Sequence, residues 1–443
     1  MNEELLHEVV AKARAAGADA AEAVFAERQS LGVTVRQGAL EEVEREESRD
    51  LGVRVFVGRR QATVSGSDIS ADGRAKLIER AVAMARLAPE DPYASLAAED
   101  RLARGPLPDL DVYDATEPDP ESLEALAQEA EDAVRATEGV TKSDSSSAGW
   151  STGAWRLVTS TGFSGMHRAS AFSVGASAIA GEGSGMESAG EGRRTRWRED
   201  LPSAASIGAE AGRRAVSQLS PRKIASTTAP VIFENRIAGM VLGPLLGAIS
   251  GPAVARGVSF LKDKLGQQIF ASDITITDEP HRKRGLASQP FDDEGVANKD
   301  ANIIDAGVLT TWMLNTASAK QLGLETTGHA SRGLAGPPGV SASNLTLQPG
   351  TRDRAALMRD AGAGLLVTGM FGPSLNPNTG DWSVGCFGLW FENGEIAYPV
   401  SEITVAGNLL EAWARVQPGS DLEFRGSANS PSLLIDALAI AGK

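Results

Sequence analysis

The sequence predicts an α+β protein of two domains. Residues 1–220 read as an N-terminal domain of antiparallel sheets with flanking helices, and 221–443 as a C-terminal, mostly antiparallel β domain with few helices. Three observations lead there. A chain of 443 residues exceeds what one ordinary core organises. Short apolar runs of period two recur with Gly or Asn between them, the pattern of strands joined by tight turns. Helical periodicity is confined to a few segments, and the pattern changes after Ser220-Pro221-Arg222-Lys223.

Taken in order, Glu3–Ala16 places Leu5, Leu6, Val9, Val10 and Ala13 on one helical face, with Gly17 as its stop. Ala21–Gln29, Gly32–Gln37, Leu40–Ser48, Gly52–Val57 and Gln61–Ser65 read as short strands, with turns at Gln37-Gly38 and Val57-Gly58. The acidic run from Glu41 to Glu47 is interrupted by Val43 and Arg45 and reads as a solvated strand rather than a metal site. Asp72–Leu87 is a second helix, opened by Asp72. Ala88–Pro120 is a crossing loop and Pro120–Glu138 a third helix. Trp155–Ser160, Met166–Val174 and Ala176–Ala180 are strands rich in small residues, and Gly181–Gly185 is a hairpin tip. Leu201–Gln218 is a fourth helix, with Pro202 near its first turn.

The second half opens with strand Pro230–Phe233. Asn235 is a plausible N-cap for an apolar helix, Ile237–Ile249, which Gly243-Pro244 should break. Further strands are expected at Ile274–Thr277, Asn302–Ile304, Val308–Leu314 and Asn344–Leu347, and a short helix at Arg352–Asp360. Between them lie an acidic turn, Phe291–Gly295, and a Gly/Pro-rich loop, Gly323–Pro338. A meander follows: Gly385–Glu392, the turn Asn393-Gly394, Glu395–Val400 and Ile403–Val405. Asn-Gly between apolar runs is a strong hairpin signal, because both residues tolerate the positive φ of a primed turn. Leu409–Val416 and Ser432–Ala439 are apolar terminal segments.

Composition narrows the function classes. Net charge is −15, which opposes phosphate backbones and anionic lipid. The run from Arg193 to Arg198 is the one basic patch worth weighing against this, and short charge runs are usually solvated faces. A single Cys excludes an internal disulfide and a CxxC zinc site. The N-terminus is an amphipathic acidic helix rather than a signal peptide, and no run reaches the ~18 apolar residues of a membrane span. A cytoplasmic protein is expected, with neither nucleic acid nor membrane as partner.

No catalytic motif stands out. The four His residues, His7, His167, His281 and His329, are widely spaced, and HExxH, GxSxG and Walker A patterns are absent. A lone strand histidine such as His167 is ordinarily structural. Cys386 with His329 would make a nucleophile and base, but a Cys inside a buried meander is ordinarily an inert packing residue.

Longer motifs carry a resemblance. Asn378-Thr379-Gly380-Asp381, the run from Gly388 to Ile396 and the run from Tyr398 to Asn408 are similar to the signature of the PmbA/TldE proteins, within the TldD/PmbA group of cytoplasmic peptidase subunits. The segments from Leu246 to Gly251, Leu265 to Phe270, Thr327 to Ala330 and Leu365 to Thr368 match as well, as do Gly52–Phe56 and Ala81–Ala85, so the resemblance spans almost the whole chain. It implies a division of labour. A TldD-type partner carries an HExxxH helix and a later Cys that bind zinc, with the glutamate activating water. The PmbA/TldE-type subunit completes a chamber for unfolded peptides. Aligned through Gly247, this chain has Gly243, Pro244 and Ala248 where the partner has His, Glu and His, and Leu422–Ser432 lacks the Cys.

The expectation is therefore a non-catalytic subunit that binds no metal itself. It would pair with a TldD-type subunit, or with itself when alone, and contribute dimerisation and a peptide cleft. His329, Asn378, Asp381 and Ser383 are the cleft candidates. Two alternatives stand beside it: a stand-alone hydrolase with a metal site gathered from His281, His329 and Asp292 or Glu294, and a protein-binding modulator of DNA topology enzymes.

Overall fold

A computed structural model describes residues 3–443, and its N-terminal half is built on one six-stranded antiparallel sheet. The strands are β1 (Ala20–Arg36), β2 (Ala39–Val57), β3 (Arg60–Gly66), β4 (Val140–Thr159), β5 (Ser164–Ala180) and β6 (Glu187–Thr195), in the order β3-β2-β1-β4-β5-β6. They are longer than the sequence suggests. The two runs expected on either side of Gly32 form one strand, as do those on either side of Gly52 and of Gly175. A glycine weakens a strand but does not end it when neighbours pair with it on both sides, and Gly32 lies between Glu44 and Gly149. Trp155–Ser160 covers only the end of β4, and β6 falls in a stretch not expected to be a strand.

Four helices cover one face of this sheet. Ala21, Ala23 and Phe25 of β1 pack with α1 (Glu3–Ala15) and α2 (Ala71–Leu87). Leu31, Val33 and Val35 pack with α3 (Pro120–Ala136) and α4 (Ala204–Ser217). All six are alternate residues of one strand, so both helix pairs share a face. The cap of α2 is Ser70, which accepts from the Gly73 N–H, not Asp72. On the opposite face, Val24 and Leu157 bury against Phe291 and Val296 of the C-terminal half.

That half begins with β7 (Thr227–Phe233). The expected apolar helix is broken into α5 (Asn235–Ala238), a 3-10 turn (Gly239–Leu242) and α6 (Gly243–Ala248), with Pro244 in the first turn of α6. Asn235 is not its cap: Glu234 holds that position, and the Asn235 amide donates to the Asp421 carbonyl at 2.7 Å. Next come α7 (Gly251–Ala255), β8 (Ile276–Asp278), β9 (Ala301–Asp305), β10 (Val308–Leu309), α8 (Thr316–Leu322), β11 (Ala330–Ser331), β12 (Gly339–Val340), β13 (Leu345–Leu347) and α9 (Arg354–Ala361). The expected strand Val308–Leu314 is thus only two residues long. The chain ends with β14 (Gly364–Leu375), β15 (Asp381–Glu392), β16 (Glu395–Asn408), α10 (Leu409–Trp413), β17 (Val416–Pro418), β18 (Ala428–Asn429) and β19 (Leu433–Ala441).

Strands β16, β15, β14, β7 and β19 pair in that order, and β16 also pairs with β19, closing a barrel. Closure leaves no free edge among these strands where they meet. Val231, Phe233, Leu365, Val367 and Ile435 fill the larger core, while the intervening Ile232, Leu366 and Leu434 pack on Leu357 and Met358 of α9. Burial on both faces explains the nearly continuous apolar runs. The turn Asn393-Gly394 forms as expected, at φ 54° and 78°. Glu395–Val400 and Ile403–Val405 are one strand, because Glu402 adopts φ 54° at an irregularity and the ladder resumes beyond it.

The tightest helix contact is α3 against α4. A Cβ at Gly208 would collide with the Ala130 carbonyl oxygen, which is backbone and cannot swing away. Gly208→Val should lower stability by about 1–3 kcal/mol, read as a drop in the thermal midpoint of the purified chain.

Candidate functional site

Where β7 ends, the chain leaves the barrel with a charged residue that stays buried. Glu234 faces three arginines. Arg214 of α4 donates through Nη1 and Nη2 to both carboxylate oxygens, at 2.9 and 3.2 Å. Arg354 of α9 donates to Oε1 at 3.0 Å, and Arg236 Nε lies 3.5 Å from Oε2. Burial pushes the Glu234 carboxyl up, but these arginines outweigh it and hold it below the ordinary carboxylate range. A second buried carboxylate, Glu191 of β6, accepts from Arg425 at 2.6 Å and lies 3.4 Å from Arg214 Nε. Arg193 donates to Glu423 at 2.7 Å. The two halves therefore meet through crossed ion pairs: arginines of each reach carboxylates of the other.

Beside this network lies a cleft of about 720 Å³. Its charged lining is Glu210, Arg213, Arg214, Glu234, Arg236 and Arg354, four arginines against two glutamates. Its apolar lining includes Met240, Met370, Phe387 and Ile396. A neighbouring cavity of about 450 Å³ runs over the sheet face, where the cross-strand rows Ser147-Gly175-Gly192 and Ser145-Ser177-Gly190 lie beneath Arg236 and Arg425. These small residues keep the backbone accessible.

The residues singled out from sequence fall elsewhere. His329 is buried, with Nδ1 2.8 Å from Thr327 Oγ1 and Nε2 3.2 Å from Asp278 Oδ2. Asn378, Asp381 and Ser383 sit together at the β14–β15 hairpin. There Asp381 accepts from Thr379 Oγ1 and Asn408 Nδ2, at 2.7 and 3.1 Å. None of the four lines the cleft. Gly243 and Gly247 face open space, whereas Ala248 is buried. Burial pushes the Cys386 thiol up to about 12, although the Val405 backbone pulls the other way; the thiol is packing material. His167 meets the Phe291 ring edge-on, and burial lowers it to about 4. In the basic run, Arg196 donates to the carbonyls of Ser170, Gly285 and Leu286.

The alternative metal ligands are likewise engaged in structure. His281 Nε2 meets Asn298 Oδ1 at 2.8 Å. Asp292 accepts the N–H groups of Glu294, Val296 and Ala330. Glu294 accepts from the Thr316 N–H and hydroxyl, at 2.8 and 2.6 Å. Among the described residues, no three His, Cys, Asp or Glu side chains are arranged to hold a metal ion. The cleft residues escaped the sequence reading because they come from separate stretches. The one local hint is Glu234 and Arg236, charges placed directly after the apolar run Ala229–Phe233.

Two outcomes follow. Glu234→Gln leaves three guanidiniums without their shared charge and should cost about 3 kcal/mol, read by chemical denaturation. Asp293 behaves oppositely. Burial raises its carboxyl to about 6, against the Arg332 N–H and charge, so the folded state favours the proton. Stability from this group is full below its ordinary value of 3.8 and is lost as pH rises through about 6. Asp293→Asn, which keeps an acceptor for the Arg332 N–H, should match the parent's melting temperature at pH 4 and exceed it at pH 8.

Three family profiles match the chain: PmbA/TldA metallopeptidase domain 1 over residues 21–85, the central domain over 113–219 and the C-terminal domain over 226–442. The metalloprotease PmbA of Escherichia coli O157:H7 is 36% identical over 427 residues, covering 96% of this chain and 93% of that protein. The Haemophilus influenzae homologue of PmbA is 35% identical, with the same shares. A Bacteroides thetaiotaomicron structure, described as a candidate modulator of DNA gyrase, superposes with a TM-score of 0.92 at 27% identity, covering 100% of this chain and 99% of that one. TldE of Thermococcus kodakarensis shares the fold, with a TM-score of 0.89 at 19% identity over 99% of this chain and 100% of its own. Aligned with relatives of this identity along nearly its whole length, the chain belongs to the PmbA/TldD metallopeptidase family.

Proposed function

We propose that this chain is a TldE/PmbA-like, non-catalytic subunit of a heteromeric zinc metallopeptidase that acts on flexible peptides and small unfolded proteins. A TldD-type subunit would supply the zinc and the water-activating glutamate. The observation that carries this reading is α6. A hydrolytic zinc needs converging ligands and a carboxylate to take a proton from water. The positions aligned with the partner's His, Glu and His are Gly243, Pro244 and Ala248, and none has a side-chain donor atom. The residues present do not fit a bound zinc, and no hydrolytic step is assigned to them.

What remains is a peptide-binding role. An extended chain adds to a free sheet edge through backbone hydrogen bonds, which demands little of its sequence. The same helical run that lacks ligands contributes Arg236, Ile237 and Met240 to the cleft. The hairpin carrying Asn378, Asp381 and Ser383 is retained as an outer contact for the partner or peptide, with His329 bracing the loop behind β11.

The test is peptide hydrolysis by three preparations: the chain alone, the chain with its TldD-type partner, and the chain with a partner whose metal-site glutamate is replaced. Cleavage is expected only in the second. Robust metal-dependent cleavage by the chain alone would overturn the reading.

A further inference from the structure

We infer that the cleft between the halves holds the C-terminal end of an extended peptide, paired along β6, with its carboxylate received by arginine and its last side chain in an apolar pocket. This deepens the peptide-binding reading above and rests on it.

The first argument is where the cavity lies. β6 ends the six-stranded sheet, and among the described residues no strand pairs with its outer edge. Ser188 and Gly190 point to the face that meets the C-terminal half. Ala189 lies opposite Ala178, on the face that carries α4. The cavity is lined by Ser188, Ala189 and Gly190 together with Arg213 and Ser217 of α4, that is, by residues from both faces of the sheet. A cavity that touches both faces lies along the strand's edge. An added strand would occupy that space, with its N–H and C=O groups opposite those of β6. Ser, Ala and Gly at these positions leave the edge unobstructed.

The second argument is charge. The cleft carries an excess of two guanidiniums in a protein of net charge −15. Glu234 and Glu210 balance part of the set: Arg236 lies 3.5 Å from Glu234 through Nε, which makes no hydrogen bond, and donates through Nη2 to the Thr368 carbonyl, while the largely exposed Arg213 donates to Glu210 alone among the described residues. Guanidinium recognises carboxylate in a bidentate, charge-assisted manner. The third is the apolar wall of Met240, Met370, Phe387 and Ile396, of which Met240 and Ile396 are about half exposed. Cation, strand edge and apolar pocket in one cavity match a chain terminus bearing an aliphatic or aromatic last residue.

The experiment is fluorescence anisotropy with an N-terminally labelled extended peptide ending in leucine. It is made as the free acid, as the C-terminal amide, and as the free acid with N-methylated backbone amides. Each is titrated against the parent chain and against Arg213→Gln and Arg213→Lys. Arg213 is largely exposed, so its variants retain the fold. The free acid should bind at least about tenfold more tightly than either analogue. Arg213→Gln should weaken the acid and leave the amide unchanged, and Arg213→Lys should restore part of the acid's affinity. Equal affinity of acid and amide overturns the carboxylate anchor while leaving peptide binding intact. Undiminished binding of the N-methylated peptide overturns the strand pairing. Failure of all three peptides to bind overturns both this inference and the reading beneath it.

Discussion

The buried carboxylate Glu234 anchors the crossed ion pairs through which the two halves of the molecule meet. It sits where the barrel strand β7 gives way to α5, and it receives arginines from α4 on one side and from α5 and α9 on the other. Desolvating a carboxylate is costly, and only the three guanidiniums make its position tenable. The arrangement fixes direction as well as energy. A bidentate Arg214–Glu234 pair ties α4 to the end of β7, and both residues line the cleft beside β6. An apolar contact of equal strength would allow the halves to slide; crossed ion pairs with defined hydrogen-bond geometry do not.

Around this junction the chain has the fold of the PmbA/TldD metallopeptidase family. α6 starts at a Gly-Pro step, turns two glycines to open space and buries Ala248 in the core. Just upstream, Arg236 and Met240 face the cleft. One helical run thus lines the cleft at Arg236 and Met240 and carries no side-chain donor atom at Gly243, Pro244 and Ala248. The His and acidic residues weighed as metal ligands make internal hydrogen bonds. Asp292 and Glu294 tie loops through backbone N–H groups, and His329 is held between Thr327 and Asp278.

Much of the fold was legible in the sequence. Asn393-Gly394 announced its turn because both residues readily take positive φ, and Gly243-Pro244 announced the helix break. The misreadings share a cause. Gly32, Gly52 and Gly175 look like strand ends by local propensity, yet the ladders on both sides carry the strand through them. Local pattern cannot register a partner strand a hundred residues away. Glu402 misled in the same way, since a positive φ inside β16 bends the strand without ending it. The site was less legible still. Its arginines and glutamates are drawn from β6, α4, the β7–α5 junction, α9 and the segment before β18, and no spacing in the sequence links them. Turn residues such as Asn378 and Asp381 are conspicuous locally; their hydrogen bonds are made to their own turn and, from Asp381, to Asn408 at the end of β16.

The central claim is that this subunit shapes and binds while another performs the chemistry. Zinc content tests it most directly. The purified chain would be equilibrated with excess zinc, desalted and analysed by elemental mass spectrometry, alone and after assembly with a TldD-type subunit. The account predicts zinc well below one ion per chain for this subunit alone, with tightly held metal appearing only in the assembled pair. One tightly bound zinc per chain in the isolated subunit would contradict it.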